Sequence, residues 1–259
     1  MRVCSKELSN LSFTIPSGTI TGITGHGKSA VLQMIDLLLP LRGSIYFDDK
    51  KKTSYNVNQL RQEVVLVPET FVNQFLIDNI YTYFMYYITY YQLKIDNARK
   101  KIEGAFKIVG LDISNLEKTF YQLSDSDIKL VQLALAFLSN PKVILLDEPF
   151  INLDVKQEKK VVRILEKLQD KFHKTIVIAS SNSNCLYEYT KHLIVLDEGT
   201  VLTEGPTETI YFEDPKIISR HIERPEIVEF IDLVERKKGI KLIHRKDVRD
   251  VIKDIYRNV

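Results

Sequence analysis

One segment, GITGHGKS from Gly22 to Ser29, restricts the chain more than any other feature. It matches the pattern G-x-x-x-x-G-K-[ST], follows a strand-like segment and precedes a helical one, which is the context that the pattern requires. Glycines let the backbone wrap a phosphate with its N–H groups pointing inward, and the helix N-terminus adds positive potential. Lys28 would reach the terminal phosphates, and the Ser29 hydroxyl would ligate Mg²⁺. The residues assigned to this phosphate-binding loop are Gly22, Ile23, Thr24, Gly25, His26, Gly27, Lys28, Ser29 and Ala30.

A second segment, VILLDEP from Val143 to Pro149, ends an apolar strand in two acids. Asp147 would hold Mg²⁺ directly or through water, and Glu148 would orient or deprotonate an attacking water. An apolar strand that ends in two acids is common by itself. Its occurrence together with the phosphate-binding loop is what makes the interpretation specific.

Continuous apolar runs alternate with helical patterns along the chain. VILLD and TIVIAS are uninterrupted apolar segments, as expected for strands that are buried on both faces of a sheet. Between them, apolar residues follow the spacing of one helix face at Val161, Ile164, Leu165, Leu168 and Phe172. This unit predicts an α/β fold with a mostly parallel core sheet. LSFTI, TITGIT, SIYF and VVLV are further predicted strands, and residues 97–109 are a predicted helix that Gly110 would end.

The composition excludes several classes of protein. The chain has 259 residues, 44% of them hydrophobic, and a net charge of +2, which is ordinary for a globular protein and gives no reason to expect a nucleic-acid partner. Cys4 and Cys185 have no metal-ligand spacing and fit a reducing compartment. We expect no signal peptide and no spanning helix, so any membrane role would depend on a partner.

The order of the motifs resembles that of the ABC ATPase family. GITGHGKS is followed by LSDSD at Leu123–Asp127, by VILLDEP, by INLD and by TIVIAS. Within this family the chain looks like the ATP-binding subunit of energy-coupling factor (ECF) importers of vitamins and metal ions. That narrower resemblance rests on GPTETIY and the tail ERPEIVEFIDLVERKKGIKL. It implies an ABC ATP-binding domain over residues 1–210, with a helical subdomain at about 72–140, and a C-terminal helical extension over 211–259.

The resemblance also implies cofactors, partners and location. ATP and Mg²⁺ would bind at composite sites, where one chain's phosphate-binding loop faces a second, homologous but different ATP-binding subunit. An integral membrane component would dock through its coupling helices, placing the chain on the cytoplasmic face of the membrane. Asp154 matches the family's D-loop, Ser124 could bond a γ-phosphate oxygen, Glu69 falls at the Q-loop position as a nucleotide and Mg²⁺ contact, and Ser181 takes the catalytic switch position.

The signature peptide departs from the family pattern L-S-G-G-Q. Asp125 and Ser126 replace its two glycines, Asp127 replaces its glutamine, and Leu130 replaces an arginine in the following helix. A carboxylate near a triphosphate is repelled, and loss of the glycines restricts the backbone. The segment also fits a capped helix start, with Asp125 or Ser126 as the N-cap. We expect the segment to retain the helix cap and to lose its binding of phosphate.

Two further departures concern the chain's own site. Glu69 replaces the Q-loop glutamine and changes the local charge by one unit, and Ser181 replaces the switch histidine, whose reach and charge serine lacks. The family's adenine-stacking aromatic would fall before the first residues of this chain. We therefore expect the chain to bind Mg-ATP and hydrolyse it slowly, and the companion site closed by LSDSD to be weak or inactive.

The aromatic segment YTYFMYYITYY, Tyr81 to Tyr91, has three interpretations. It could form a groove for the coupling helices of the membrane component, since tyrosines are common interface anchors. It could be an amphipathic helix with half-buried tyrosines. It could also contact lipid headgroups.

Three functions remain open on the sequence alone. The first is a transport ATPase subunit of slow or impaired activity, which the intact Glu148 favours. The second is a non-hydrolysing pseudo-ATPase that binds ATP and stabilises or regulates a heterodimer, which LSDSD and Ser181 favour. The third, a chromosome-maintenance ATPase, is disfavoured because only residues 30–122 separate the phosphate-binding loop from the signature and carry no heptads.

Overall fold

The structure, a computed structural model, describes residues 2–5, 11–39, 43–47, 50–51, 63–69, 79–90, 92–213 and 222–258. The strands in these ranges are β1 (Arg2–Ser5), β2 (Leu11–Thr14), β3 (Ile20–Gly25), β4 (Gly43–Phe47), β5 (Lys50–Lys51), β6 (Val64–Val67), β7 (Val143–Asp147), β8 (Thr175–Ala179), β9 (His192–Asp197) and β10 (Thr200–Pro206). The helices are α1 (Lys28–Ile35), α2 (Ile80–Tyr90), α3 (Ala98–Val109), α4 (Asp125–Leu138), α5 (Val155–Phe172), α6 (Ser183–Tyr189), α7 (Thr207–Glu213), α8 (Glu226–Lys238) and α9 (Val248–Asn258).

The core sheet has the strand order β10-β9-β3-β8-β7-β6. All neighbouring pairs from β9 to β6 are parallel, and β10 runs antiparallel to β9 at the edge. This arrangement confirms the predicted α/β fold with a mostly parallel core sheet. The predicted strands VILLD and TIVIAS are β7 and β8, whereas the sequence patterns did not identify β9 and β10.

The central strands are buried on both faces. In β7, Val143 and Leu145 pack into one apolar cluster together with α1 and β2, while Ile144 and Leu146 pack into a second cluster with the helices on the opposite face. Because successive side chains of a strand point to opposite faces, a strand between two layers has no position for a solvated side chain. This explains the uninterrupted apolar runs.

A second, antiparallel sheet with the order β2-β1-β4-β5 lies beside the core sheet. The inward-facing side chains of β2, Leu11 and Phe13, are buried in the cluster that contains α1. The backbone N–H of Thr14 donates to Glu204 Oε2 of β10 at 3.1 Å. This contact joins the small sheet to the edge of the core sheet.

The predicted helix over 97–109 is α3. Asn97 is its N-cap, with a side chain that accepts from the backbone N–H of Lys100, and Gly110 at φ 72° ends it, as predicted. The first residues of the predicted helical subdomain, 72–78, lie outside the described residues. The division of the chain into domains stays a prediction.

The aromatic segment lies in α2 as far as Tyr90, and its last residue, Tyr91, lies outside the described residues. Tyr83 and Phe84 are buried, with ring centroids 5.4 Å from Phe120 and 5.5 Å from Phe106 respectively. Tyr86 and Tyr90 are 58% and 59% exposed, and their rings stack at 5.7 Å. One face of α2 therefore belongs to the core, and the other carries a pair of exposed tyrosines.

The C-terminal helices α8 and α9 have a small core of their own, built on Ile231, Leu242 and Val251. Lys246 attaches them to the rest of the chain, because its Nζ donates to the main-chain oxygens of Glu188 at 3.1 Å and Thr190 at 3.0 Å, at the end of α6. The boundary predicted after residue 210 falls within α7. No helix in the described ranges is long and apolar enough to span a membrane.

Two glycines of the phosphate-binding loop offer a matched test of its backbone. Gly25 has φ +94°, and a Cβ there would lie 1.9 Å from Leu196 O; Gly27 has φ +90° with open space around it. Gly27→Ala should lower the free energy of unfolding by about 1–2 kcal/mol, the ordinary cost of a left-handed backbone. Gly25→Ala should lower it by about twice that or more, because its Cβ would also collide with Leu196 O. Urea unfolding measures both. Equal losses would show that contact with Leu196 does not matter.

Candidate functional site

Most of the polar residues that the sequence predicts for the site lie at one edge of the core sheet. Neighbouring parallel strands end there, and ligands of open α/β sheets bind in the crevice outside the carboxyl ends of the strands. The segments that meet at this edge are Gly25–Ser29 after β3, Ser180 and Ser181 after β8, Asp147 and Glu148 at the end of β7, and Glu69 after β6.

The phosphate-binding loop has the backbone that the pattern requires. Gly25 and Gly27 both have positive φ, and α1 begins at Lys28, where the N–H of Val31 donates to Gly27 O at 3.0 Å. The loop therefore leads directly into a helix N-terminus. The other residues assigned to the loop lie on either side of it or within it. Gly22, Ile23 and Thr24 are buried in β3, and Ala30 lies in the first turn of α1. His26 is exposed, with its Nδ1 3.4 Å from Asp197 Oδ1.

Lys28 reaches across the sheet edge to both predicted catalytic residues. Its Nζ donates to Ser181 Oγ at 2.8 Å and lies 3.4 Å from Glu148 Oε1. A cation held between a hydroxyl and a carboxylate keeps positive charge at the point where a terminal phosphate would enter. The structure thus brings Lys28, Glu148 and Ser181 together.

Glu148 is buried and is fixed by several hydrogen bonds. Ser180 Oγ donates to its Oε2 at 2.7 Å, and the backbone N–H of Ser181 donates to its Oε1 at 2.7 Å. Its own N–H donates to Ala179 O at 2.8 Å, which holds it in a left-handed backbone with φ 44°. A non-glycine residue in that conformation costs about 1–2 kcal/mol, and such strain is often found at functional sites.

Ser29 and Asp147 form the part of the site that fits Mg²⁺. Ser29 Oγ donates to Asp147 Oδ1 at 3.0 Å. Burial raises the pKa of Asp147, with the charges of Glu69 and Glu148 adding to the shift and the Ser29 hydrogen bond and Lys28 opposing it. A hydroxyl and a carboxylate beside a phosphate-binding loop are the donors that Mg²⁺ uses when phosphate oxygens and water complete its coordination. These residues therefore fit the ion.

Glu69 lies near this group but outside its hydrogen bonds. Its side chain is exposed, and its main-chain oxygen accepts from Lys129 Nζ at 3.0 Å, as Pro68 O does at 3.2 Å. Burial lowers the pKa of Lys129 to about 8, against the opposing charges of Asp147, Glu69 and Glu148. The assignment of Glu69 as a metal ligand stays a prediction.

The signature segment starts α4 with a different cap from the one predicted. Ser124, rather than Asp125 or Ser126, is the N-cap, and its Oγ accepts from the N–H of Asp127 at 3.2 Å. The prediction of the cap residue was wrong because the helix begins one residue earlier, so that Asp125 already has helical geometry. The same Ser124 hydroxyl donates to Asp127 Oδ2 at 2.9 Å and lies 3.0 Å from Ser126 Oγ.

Asp154 is also explained locally as a helix cap. Its carboxylate accepts from the N–H of Gln157 at 2.8 Å, and the Gln157 side chain accepts from the N–H of Asp154 at 3.0 Å, which is a capping box at the start of α5. The hydrogen bonds described for Ser124 and Asp154 stay within their own helix starts. Their contacts to a nucleotide remain predictions.

Two residues of this site were not identified from the sequence. Ser180 has a signal, since it is the first polar residue after an apolar strand, one position before Ser181. Lys129 has one too, because it interrupts a helix that is otherwise buried on nearly every side, and a buried charge requires partners. The pattern does not show which partners those are.

The fold and this group of residues define a nucleoside-triphosphatase site of the phosphate-binding-loop type. The family model described as "ABC transporter" matches residues 8–151, more than half of the chain. The chain therefore belongs to the ABC transporter family, whose cassettes are ATPases.

Curated relatives narrow the resemblance. The energy-coupling factor transporter ATP-binding protein EcfA3 of Oenococcus oeni is 28% identical over 96% of this chain and 88% of its own length. The corresponding EcfA2 protein of Staphylococcus aureus is 27% identical over 86% and 80%. The chain thus resembles ECF transporter ATP-binding proteins along nearly its whole length.

Solved structures agree with the fold. A dimeric post-hydrolysis state of the ATP-binding cassette MJ0796, bound to ADP and Pi, has a TM-score of 0.68 and 26% identity, over 76% of this chain and 89% of that one. CbiO1 from Clostridium perfringens, part of the ABC transporter complex CbiONQ, has a TM-score of 0.68 over 89% and 91%. At 23% identity, the second likeness shows the fold alone.

The hydrogen bond from Ser180 to Glu148 can be tested through stability. Ser180→Ala leaves a buried carboxylate oxygen without its donor and should lower the free energy of unfolding by about 1–3 kcal/mol. Ser139→Ala, which removes a weaker 3.3 Å bond to Ala136 O at the end of α4, should change it by less than about 0.5 kcal/mol. Urea denaturation without nucleotide compares the two variants. Losses of the same size would contradict a special role for the Ser180 bond.

Proposed function

We propose that the chain is an ATP-binding subunit of an ECF-like importer, which couples ATP binding and hydrolysis to the uptake of a vitamin or a metal ion. The observation that carries the proposal is the assembly of Lys28, Ser29, Asp147 and Glu148 at one edge of the sheet. The resemblance to ECF ATP-binding proteins over nearly the full length supports the transport role.

Each of these residues has a distinct task toward ATP. The N–H groups of the loop around Gly27 would surround the phosphates, and Lys28 would transfer its contact from Ser181 Oγ to a terminal phosphate oxygen. Glu148, which Ser180 and the Ser181 N–H hold in place, would then accept the proton of the attacking water. Bound Mg²⁺, held by Ser29 and Asp147, would neutralise charge on the phosphates.

Hydrolysis at this site should be slow. In the family's pattern a histidine occupies the switch position, and here Ser181 places a short, uncharged hydroxyl 2.8 Å from Lys28. Loss of a positioning or proton-transfer group typically costs about 10²–10⁴-fold in rate. The chain would keep its affinity for ATP, which depends on the phosphate-binding loop.

The chain would work with two partners. A second, related but different ABC subunit would complete each nucleotide site, and LSDSD would face that partner's ATP. An integral membrane component would dock through its coupling helices and hold the complex at the cytoplasmic face of the membrane. The companion site should be weak or inactive, because Asp125 and Asp127 present carboxylates at the start of α4.

A second function has its own supporting observation. The Ser124 hydroxyl, the polar group of the signature pattern that this chain keeps, accepts from the N–H of Asp127 and donates to its carboxylate. This favours a non-hydrolysing pseudo-ATPase that binds ATP and stabilises or regulates a heterodimer with an active subunit. Substitution of Glu148, described next, separates the two functions.

We expect Glu148→Gln, made in this chain alone, to lower steady-state ATP hydrolysis of the complete complex. The amide keeps the shape of the side chain but cannot accept the proton of the water, so a drop of about 10²-fold or more is expected at this site. The measurement is phosphate release by the complex purified with its partner ATPase.

The control for this measurement is Glu166→Gln on the exposed face of α5, which should leave hydrolysis unchanged. If Glu148→Gln behaves like the control, the chain contributes no hydrolysis and the pseudo-ATPase function is correct. If the complex binds no ATP through this chain, both functions are excluded.

The exposed tyrosine pair on α2 should contact the membrane component. Tyr86→Ser with Tyr90→Ser removes two large exposed rings without opening the core, so recovery of the membrane component with the tagged chain should fall several-fold. Tyr256→Ser, at a position that is 81% exposed on α9, is the matched control. Equal recovery from the double variant and the control would assign α2 a purely structural role.

A further inference from the structure

Lys129 is a buried cation with an unusual set of neighbours. It lies on α4, about one turn after the helix begins at Asp125, and only 4% of it is exposed. Its Nζ donates to Pro68 O at 3.2 Å and to Glu69 O at 3.0 Å, which are main-chain oxygens 61 and 60 residues earlier in the chain. These bonds fix the segment after β6 against α4.

Three negative charges act on Lys129. Asp147, Glu69 and Glu148 each act on its ammonium group, and Glu69 in turn acts on Asp147. A triphosphate bound at this edge would therefore meet the carboxylates of Glu69 and Asp147 in addition to that of Glu148. Lys28 lies on the opposite side of this group, in contact with Ser181 and Glu148. Lys129 is a cation on the Glu69 side, with its Nζ 3.0 Å from Glu69 O.

The carboxylate of Glu69 gives the charge of Lys129 a specific task. A neutral residue there would leave two acids beside the phosphates, whereas Glu69 adds a third. A buried ammonium is costly to maintain unless it is hydrogen-bonded and balanced by charge, and here it has both. A lysine with only a packing role would not need to bond the main chain at Glu69, in a segment 60 residues away, at 3.0 Å.

We propose that Lys129 is a positioning residue of the nucleotide site: it holds the Glu69 segment in place and offsets the added charge of Glu69, so that ATP can bind beside Asp147 and Glu148. This inference rests on the proposed ATP-binding function. It predicts a specific coupling, because the need for the charge of Lys129 should depend on the charge at position 69.

The test measures binding of the fluorescent analogue mant-ATP at neutral pH, with Mg²⁺ and with EDTA. Lys129→Met keeps the length of the side chain and removes the charge, and it should weaken mant-ATP binding in EDTA by about tenfold. With Mg²⁺ the loss should be smaller, since the ion itself offsets the carboxylates. Lys129→Arg should bind as the unaltered protein does.

The decisive variant is Lys129→Met combined with Glu69→Gln. Removing the acid removes the need for the cation, so the double variant should recover at least half of the lost affinity on a logarithmic scale. A merely structural defect at Lys129 would not be repaired by a change in an exposed side chain. Lys142→Met, at an exposed lysine paired with Glu63 at 3.2 Å, is the control and should bind normally.

Three outcomes would overturn the inference. Lys129→Met could bind within twofold of the unaltered protein in EDTA, or the double variant could bind no better than Lys129→Met. Both results leave the proposed function intact. If the unaltered protein binds no mant-ATP while Lys142→Met and the other variants are equally inactive, the proposed function itself is wrong, and this inference with it.

Discussion

Burial of β3, β8 and β7 on both faces is the constraint on which the candidate site depends. Strands between two apolar layers have positions for charged or solvated side chains only where they end. Because these strands are adjacent and parallel, their carboxyl ends lie at the same edge. Lys28, Ser181 and Glu148, which lie far apart in the sequence, therefore meet within hydrogen-bonding distance. The site follows from the sheet rather than from any one loop.

The features that were predictable from the sequence are those whose cause is local. The apolar runs of β7 and β8, the glycine pattern before α1 and the end of α3 at Gly110 each depend on residues that adjoin one another. The roles of Asp147 and Glu148 could be assigned because their position at the end of a buried strand is visible in the sequence. In the structure, Asp147 lies beside Ser29 and Glu148 lies beside Lys28, as this assignment required.

The features that could not be predicted depend on distant pairing or on a shift of one residue. The antiparallel sheet pairs β1 with both β2 and β4, and no alternation in such short strands identifies those partners. The N-cap of α4 is Ser124 because the helix begins at Asp125, and three neighbouring cap-forming residues cannot be ranked by propensity alone. Lys129 can be recognised as a buried charge, but its acceptors lie in the segment after β6, 61 and 60 residues earlier in the chain.

The acidic residues at the start of α4 stabilise a helix terminus and disfavour an anion at the same place. A helix N-terminus attracts negative charge, and in this chain Asp125 and Asp127 supply that charge from within the first turn. The N–H of Asp127 is already bonded to Ser124 Oγ, and its carboxylate accepts from the same hydroxyl. In the proposed composite site, a phosphate of the partner's nucleotide would have to displace these contacts and enter beside two carboxylates. The helix start has a side-chain cap and two carboxylates of its own, so its stability requires no bound anion and its charge disfavours one.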